Sequence, residues 1–144
     1  MASRHQSREL AVQFVYKWSL DPARVGRQGD IDTFWREQAW SDNDNRPFFE
    51  DLARGVAEYL PQIDKSLESV LENWRMDRIE KVDLAVLRVS IYELLYSNAA
   101  TRPDAPVIIN EAVELSKKFG GADSSSFVNG ILDSLRKKNI KDPA

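Results

Sequence analysis

The sequence predicts an all-α protein of about seven helices, and three observations lead there. Apolar residues recur at spacings of three and four along most of the chain, which is the period of one helix face. No segment shows the strict apolar–polar alternation of strands joined by hairpin turns. The stretch Lys81 to Tyr96, KVDLAVLRVSIYELLY, has eleven apolar or aromatic residues among sixteen. Wound at roughly 100° per residue, they leave no broad polar face, and a helix apolar nearly all round is a buried one. It is too short and too charged to span a membrane, which needs ~20 apolar residues. This segment is therefore expected to be the central helix of a bundle. Its isolated charges, Asp83, Arg88 and Glu93, must find partners or reach the rim, because an unpaired buried charge is costly.

The other elements follow in order. Ser3, with Gln6 three residues on, fits a capping box. Leu10, Phe14 and Trp18 at spacing four, beside Ala11 and Val15, make an amphipathic first helix that ends before Asp21-Pro22. Arg4 and Arg8 share a face of its first turns. Cations there oppose the helix dipole at a cost of roughly a few tenths of a kcal/mol, so either an anionic partner or plain solvation must account for them. Pro22, Gly26 and Gly29 mark a loop from Asp21 to Asp30. Ile31 to Trp40 reads as a short helix whose aromatics are either core or a platform for stacked bases, and the acidic surroundings favour core. Ser41 to Pro47 is a loop.

From Phe48 the apolar positions run through 52, 56, 59/60, 63, 67, 70/71 and 74 without losing phase at Pro61. That favours one long helix kinked at the proline over two independent ones. Glu50, Asp51, Glu58, Asp64, Glu68 and Glu72 form its acidic outer face. Asp77 to Glu80 fits a capping box that starts the central helix or a short lead-in turn to it. Ser97 to Pro106 is a loop, with Pro106 placed to begin the next helix. Ile108, Ala112, Leu115 and Phe119 give that helix its apolar side. Gly120-Gly121 ends it, with Lys117 and Lys118 well placed in its last turn. Asp123 or Ser124 caps a last helix carrying Phe127, Val128, Ile131, Leu132 and Leu135. Gly130 inside that helix costs ~1 kcal/mol against alanine, which close approach of another helix would justify. From about residue 137 a polar tail is expected.

With 144 residues, 42% hydrophobic and 30% charged, the chain has one domain's worth of material and an ordinary globular balance. It has no cysteine, which excludes disulfides and thiolate metal sites and fits a reducing cytoplasm. The net charge of −3 hides a pattern. Residues 1–29 hold five Lys/Arg against two Asp/Glu, and residues 117–144 hold six against three. Residues 30–80 hold six against thirteen. If the basic ends meet, they form a positive patch on an acidic protein; otherwise they are two separate solvated faces.

Chemistry of other kinds is absent. The single histidine, His5, lies near the N-terminus, and no HExxH, P-loop, GxGxxG or GxSxG pattern occurs. Carboxylates are plentiful but lack EF-hand spacing. Glu111 and Glu114, at i and i+3, resemble surface residues more than acid–base machinery. The residues alone point to a helical binding domain with no catalytic residue, metal or cofactor, and with Arg4, Arg8, Lys117 and Lys118 able to hold phosphates.

Three stretches carry a resemblance: SRELAVQFVYKW, VDLAVLRVSIYELLY, and VIINEAVELSKKFGGADSSSFVNGILD. They resemble the NusB family of bacterial antitermination factors, from about Ser3 to Arg136. The region from Asp21 to Asn45 is least family-like. The resemblance implies one NusB-like domain over 1–144, built as two packed helical subdomains, without catalysis. It implies binding of boxA-type single-stranded RNA from ribosomal-RNA leader transcripts, together with the ribosomal protein NusE. It further implies contact with other Nus factors and RNA polymerase, no membrane, and monomers or homodimers. The family's RNA-contacting N-terminal segment maps to Arg4, His5, Gln6 and Arg8, and a second RNA-facing patch to Asp123, Ser124, Ser125, Ser126 and Phe127. The face toward the ribosomal protein maps to Tyr16 and Asp83. The chain departs from the family in having only two arginines near its start. It also has Ser125-Ser126 where many members have His-Lys. Phe127 has two readings, a ring for a base or a core residue. Two other functions compete: a purely protein-binding helical module using the acidic middle, and an enzyme, since NusB-like domains also precede RNA cytosine methyltransferases. No cofactor-binding domain follows within these residues.

Overall fold

A helix with no broad polar face has nowhere to sit but inside, and the other elements arrange themselves around it. A computed structural model describes residues 4–24, 26–38, 45–72 and 75–141, with the backbone alone at 140 and 141. These residues form seven α-helices and no strand: α1 (Arg4–Leu20), α2 (Gln28–Arg36), α3 (Arg46–Glu58), α4 (Leu60–Glu68), α5 (Lys81–Ile91), α6 (Ala105–Phe119) and α7 (Ser124–Lys141). Helix α5 packs against α1, α3, α4, α6 and α7, and Val86, Leu87, Val89 and Ile91 on it are buried. Helices α6 and α7 pair closely on one side of it, and α1 with α3 on the other, where α2 covers α3.

The aromatics of α2 belong to the core. Phe34 and Trp35 are buried, and with Phe14 and Phe49 they form ring pairs at 5.0–6.0 Å. They are no platform for bases. Helix α2 starts at Gln28, earlier than Ile31, because Gly29 and Asp30 are accommodated in its first turn, with Asp30 held by Arg24. Gly26 takes the one left-handed backbone conformation (φ 80°) among the described residues, in the turn before α2. Ser3, Trp40, residues 41–44 and Trp74, to which capping, helical and loop roles were assigned above, lie outside the described residues.

The expected long helix is two. Helix α3 ends at Glu58 and α4 begins at Leu60, with Pro61 in its first turn. The phase survives because Tyr59 N–H donates to Gly55 O (2.9 Å) and Ile63 N–H to Tyr59 O (2.8 Å) across the joint. Proline lacks only the N–H that a helix start leaves unsatisfied. Helix α4 stops at Glu68, before the apolar positions at 70 and 71. Asp77 to Glu80 makes no capping box: Met76–Arg78 is a single 3-10 turn and Glu80 forms no side-chain cap. The last helix runs on to Lys141, past the expected start of a tail.

Two charges of the central helix go inward. Arg88 is half-buried and binds Asp64 of α4 through two hydrogen bonds (3.0 and 2.9 Å). Beyond Ile91 the helix widens into a π turn, Tyr92–Tyr96, closed by Ser97 N–H to Tyr92 O (2.9 Å). Glu93, in that turn, is 2% exposed. Tyr92 is also buried, and its hydroxyl donates to Asp51 (2.8 Å). Burial and then the Asp51 carboxylate push its pKa well above the usual phenol value.

Two glycines make opposite predictions. A Cβ on Gly55 would lie 2.1 Å from the Tyr92 ring, so Gly55→Ala should cost about 1–3 kcal/mol in urea unfolding. A Cβ on Gly130 meets nothing within 4 Å; no neighbouring helix needs that glycine, and Gly130→Ala should add ~1 kcal/mol. Tyr92 also sets an alkaline limit. Its raised folded pKa means its contribution is complete below the unfolded value of ~10 and is lost as pH rises above it. Tyr92→Phe should flatten the fall of unfolding free energy above pH ~10, measured by urea titration across that range.

Candidate functional site

The site is best built from α1, whose first turns carry the expected RNA contacts. Arg8 points inward and is 5% exposed. Its Nε donates to Glu93 Oε1 (2.9 Å) and its Nη2 to Oε2 (2.6 Å). Burial works against the guanidinium charge, and the Glu93 hydrogen bonds and charge outweigh it, leaving the pKa above its ordinary value. Arg8, expected among the phosphate contacts, is thus held in a buried ion pair with Glu93. The cause is the π turn, which presents a carboxylate to the one α1 face where an arginine can reach it.

The remaining residues of the expected set are spread along the seam of α1 and α6. His5 lies between Glu111 Oε2 (2.6 Å) and Glu9 Oε1 (3.0 Å). Lys118 Nζ donates to both oxygens of Glu9 at 3.0 Å. Glu111 is therefore a cross-helix partner, which its spacing from Glu114 did not suggest. Lys117 is exposed, 3.6 Å from Glu114. Arg4 is exposed and its guanidinium lies 4.5 Å from the centre of the Phe48 ring. Gln6 is half-buried. Of the N-terminal and C-terminal cations, His5 and Lys118 come together at this seam through Glu9, and both face carboxylates.

At the C-terminal end of α6 the chain turns through Gly120-Gly121, and Ser124 Oγ accepts the Gly121 N–H (2.9 Å). Ser124 is buried while Asp123 and Ser126 are exposed. Phe127 is half-buried, packed against the core and lining a cleft of ≈ 400 Å³. The ring thus packs on the core and also borders a cleft. The opposite wall of that cleft is Asp83 on the first turn of α5. Asp83 is 9% exposed, and its Oδ1 is buried with no hydrogen-bond partner among the described residues. A neighbouring cleft of ≈ 640 Å³ is lined by Tyr16, Val82 and Phe119. The adjacent residues Val82 and Asp83 therefore separate two clefts. Tyr16 lines one of these clefts, Asp83 shares the other with Asp123, Ser124 and Phe127, and Ser125 and Ser126 line a third. Among the described residues no group of three His, Asp or Glu side chains is arranged to hold a metal. No described helix is long and apolar enough to cross a membrane.

Sequence reasoning missed Glu9 as a part of this surface. It did flag Glu93 as a charge needing a partner, and that was the signal for Arg8. Breaking the pair should be costly. Arg8→Ala should lower unfolding free energy by about 3–5 kcal/mol, because it strands Glu93. The double variant Arg8→Met/Glu93→Leu should recover most of that loss in the same urea titration.

A family model described as the NusB family matches residues 5–137. The transcription antitermination protein NusB of Anaeromyxobacter dehalogenans is 40% identical over 134 residues, covering 92% of this chain and 89% of that protein. Among solved structures, NusB of T. maritima superposes with a TM-score of 0.81 at 28% identity, covering 95% of this chain and 92% of its own. A complex described as antitermination factors NusB and NusE with double-stranded RNA contains a chain of the same fold. Its TM-score is 0.80 at 21% identity, covering 94% of this chain and 96% of that one.

Proposed function

The chain belongs to the NusB family, and we propose that it is a non-enzymatic transcription antitermination adaptor. In this reading it holds a boxA-type single-stranded element of a ribosomal-RNA leader jointly with the ribosomal protein NusE. The pair then joins elongating RNA polymerase with other Nus factors in the cytoplasm. The observation that carries the reading is that Asp83 and Phe127 share one cleft while Tyr16 and Val82, the residue before Asp83, line another. The buried, unpartnered Asp83 Oδ1 offers a protein partner an acceptor, since a desolvated carboxylate oxygen gains most from a donor that seals it. Beside it, Phe127 offers a ring edge, with Ser124 and Asp123 at the start of α7, while Lys117 and Lys118 stand at the end of α6. Single-stranded RNA is held by stacking and edge hydrogen bonds, with cations on its phosphates.

Ion pairing sets the expected strength. His5 and Lys118 already face carboxylates, so the RNA must compete with Glu9 and Glu111 for them. Affinity of the chain alone should be modest and steeply salt-dependent. A ribosomal protein docked on the Tyr16 side would raise it by bringing further contacts to the same strand at high effective concentration. In a homodimer the same surface could be covered.

A gel-shift titration of boxA RNA, with and without the ribosomal protein, tests this. Arg4→Ala/Lys118→Ala should weaken binding and reduce the salt slope by roughly 0.7 per cation removed. Asp83→Asn should weaken association with the ribosomal protein in the absence of RNA. RNA binding unchanged in the double variant would remove the α1–α6 seam from the interface. Partner binding without any RNA affinity in the mixture would favour the protein-only module.

A further inference from the structure

The N-terminal turn of α1 and the loop after the π turn enclose a cleft of ≈ 330 Å³, of which the preceding reading uses only Arg4. Its walls include Arg4, Phe48, Ser97, Thr101 and Arg102. Arg4 and Arg102 form no ion pair among the described residues, unlike His5, Arg8 and Lys118. Arg4 lies flat enough on Phe48 to stand 4.5 Å from the ring centre, and the buried Arg8 guanidinium is 5.1 Å from the same ring. Arg102 is anchored by its own loop: Nε donates to Ser97 Oγ (3.1 Å) and Nη2 to Ser97 O (2.5 Å). Those bonds use two of the five guanidinium N–H groups and hold the fork in place with the rest free.

Two acidic groups also border the cleft, and both are engaged. Glu93 is neutralised by Arg8, and Asp51 accepts the Tyr92 hydroxyl. A fixed, unpaired guanidinium next to an arginine–aromatic stack suits a phosphate followed by a base. An acidic peptide would use the arginines but leave the ring idle. The cleft also continues the seam. Lys118 meets α1 at Glu9, and Arg4 is five residues nearer its start, ~7.5 Å along the helix. The carboxylates between, Glu9 and Glu111, already face Lys118 and His5.

We propose that this cleft is a second nucleotide subsite, in which a base lies on the Arg4–Phe48 pair and Arg102 holds the adjoining phosphate. It extends the RNA track past the boxA-contacting surface, and it rests on the RNA-binding reading above. The test compares a core boxA RNA with versions lengthened by about four nucleotides at the 5′ or the 3′ end. Titrations are run with and without the ribosomal protein. One lengthened RNA should bind the wild-type chain roughly five-fold tighter or more, the worth of one stacked base. Arg102→Gln and Phe48→Leu should each abolish most of that gain, and Arg102→Gln should leave core-RNA affinity unchanged. Arg102→Gln should also lower the salt slope for the lengthened RNA alone, by roughly 0.7; Phe48→Leu keeps an apolar side chain against the core, and both variants are checked by thermal melts. Core RNA bound with no gain from either extension would overturn the subsite and leave the function standing. A gain that survives in both variants would overturn it too. Loss of ribosomal-protein association with the RNA gain intact would assign the cleft to a protein. No binding of any RNA by the wild type, even with its partner, would remove the function and the subsite together.

Discussion

The Arg8–Glu93 ion pair ties the first helix to the end of the central one, and much of the structure depends on it. Both side chains are almost wholly buried. Neither charge is tolerable there without the other, because desolvating a lone ion costs several kcal/mol. The pair therefore fixes the register of α1 against α5. That register in turn sets His5 against Glu111 and Glu9 against Lys118, so the α1–α6 seam follows from one buried contact. It also leaves Arg4, one turn earlier, outside on Phe48.

The π turn at Tyr92–Tyr96 is what makes such a pair available. An added residue in the turn shifts the side chains that follow Ile91 relative to a regular helix. Tyr92 then reaches across Gly55 to Asp51, Tyr96 stacks on Tyr59 at 5.3 Å, and Glu93 meets Arg8. Gly55 serves this arrangement directly, since only a residue without a Cβ lets the ring lie against α3. The joint between α3 and α4 at Tyr59 belongs to the same cluster, because Tyr59 packs on both Tyr92 and Tyr96.

Charge on this protein is spent mostly on itself. Charges pair within the fold as Arg8–Glu93, Lys118–Glu9, His5–Glu111 and Arg88–Asp64, and none of these pairs joins the acidic middle to a basic end. Beside the first turn of α1, Arg4 and Arg102 are left without an ion pair among the described residues. Such a surface is suited to a ligand that brings stacking and a second protein as well as phosphates, because few cations alone give weak and salt-sensitive attachment. The unpartnered Asp83 oxygen beside Phe127 fits the same economy, in that its acceptor is kept for something that arrives.

Periodicity determined the all-α class and the buried central helix, because apolar burial is the dominant and non-directional force and leaves a repeat in the sequence. Proline and glycine signals added the limits of α1 and α6, and the family motifs added residues expected at an interface. What the tertiary structure alone decided was which charges face each other. Arg8 and Arg4 are indistinguishable on a helical wheel, yet one is buried on Glu93 and the other lies exposed on Phe48. Gly55 and Gly130 both lie inside helices, yet only Gly55 has a ring against it. An ion pair or a close approach depends on distances of a few ångströms between segments 38 to 109 residues apart, and no local pattern encodes such a distance.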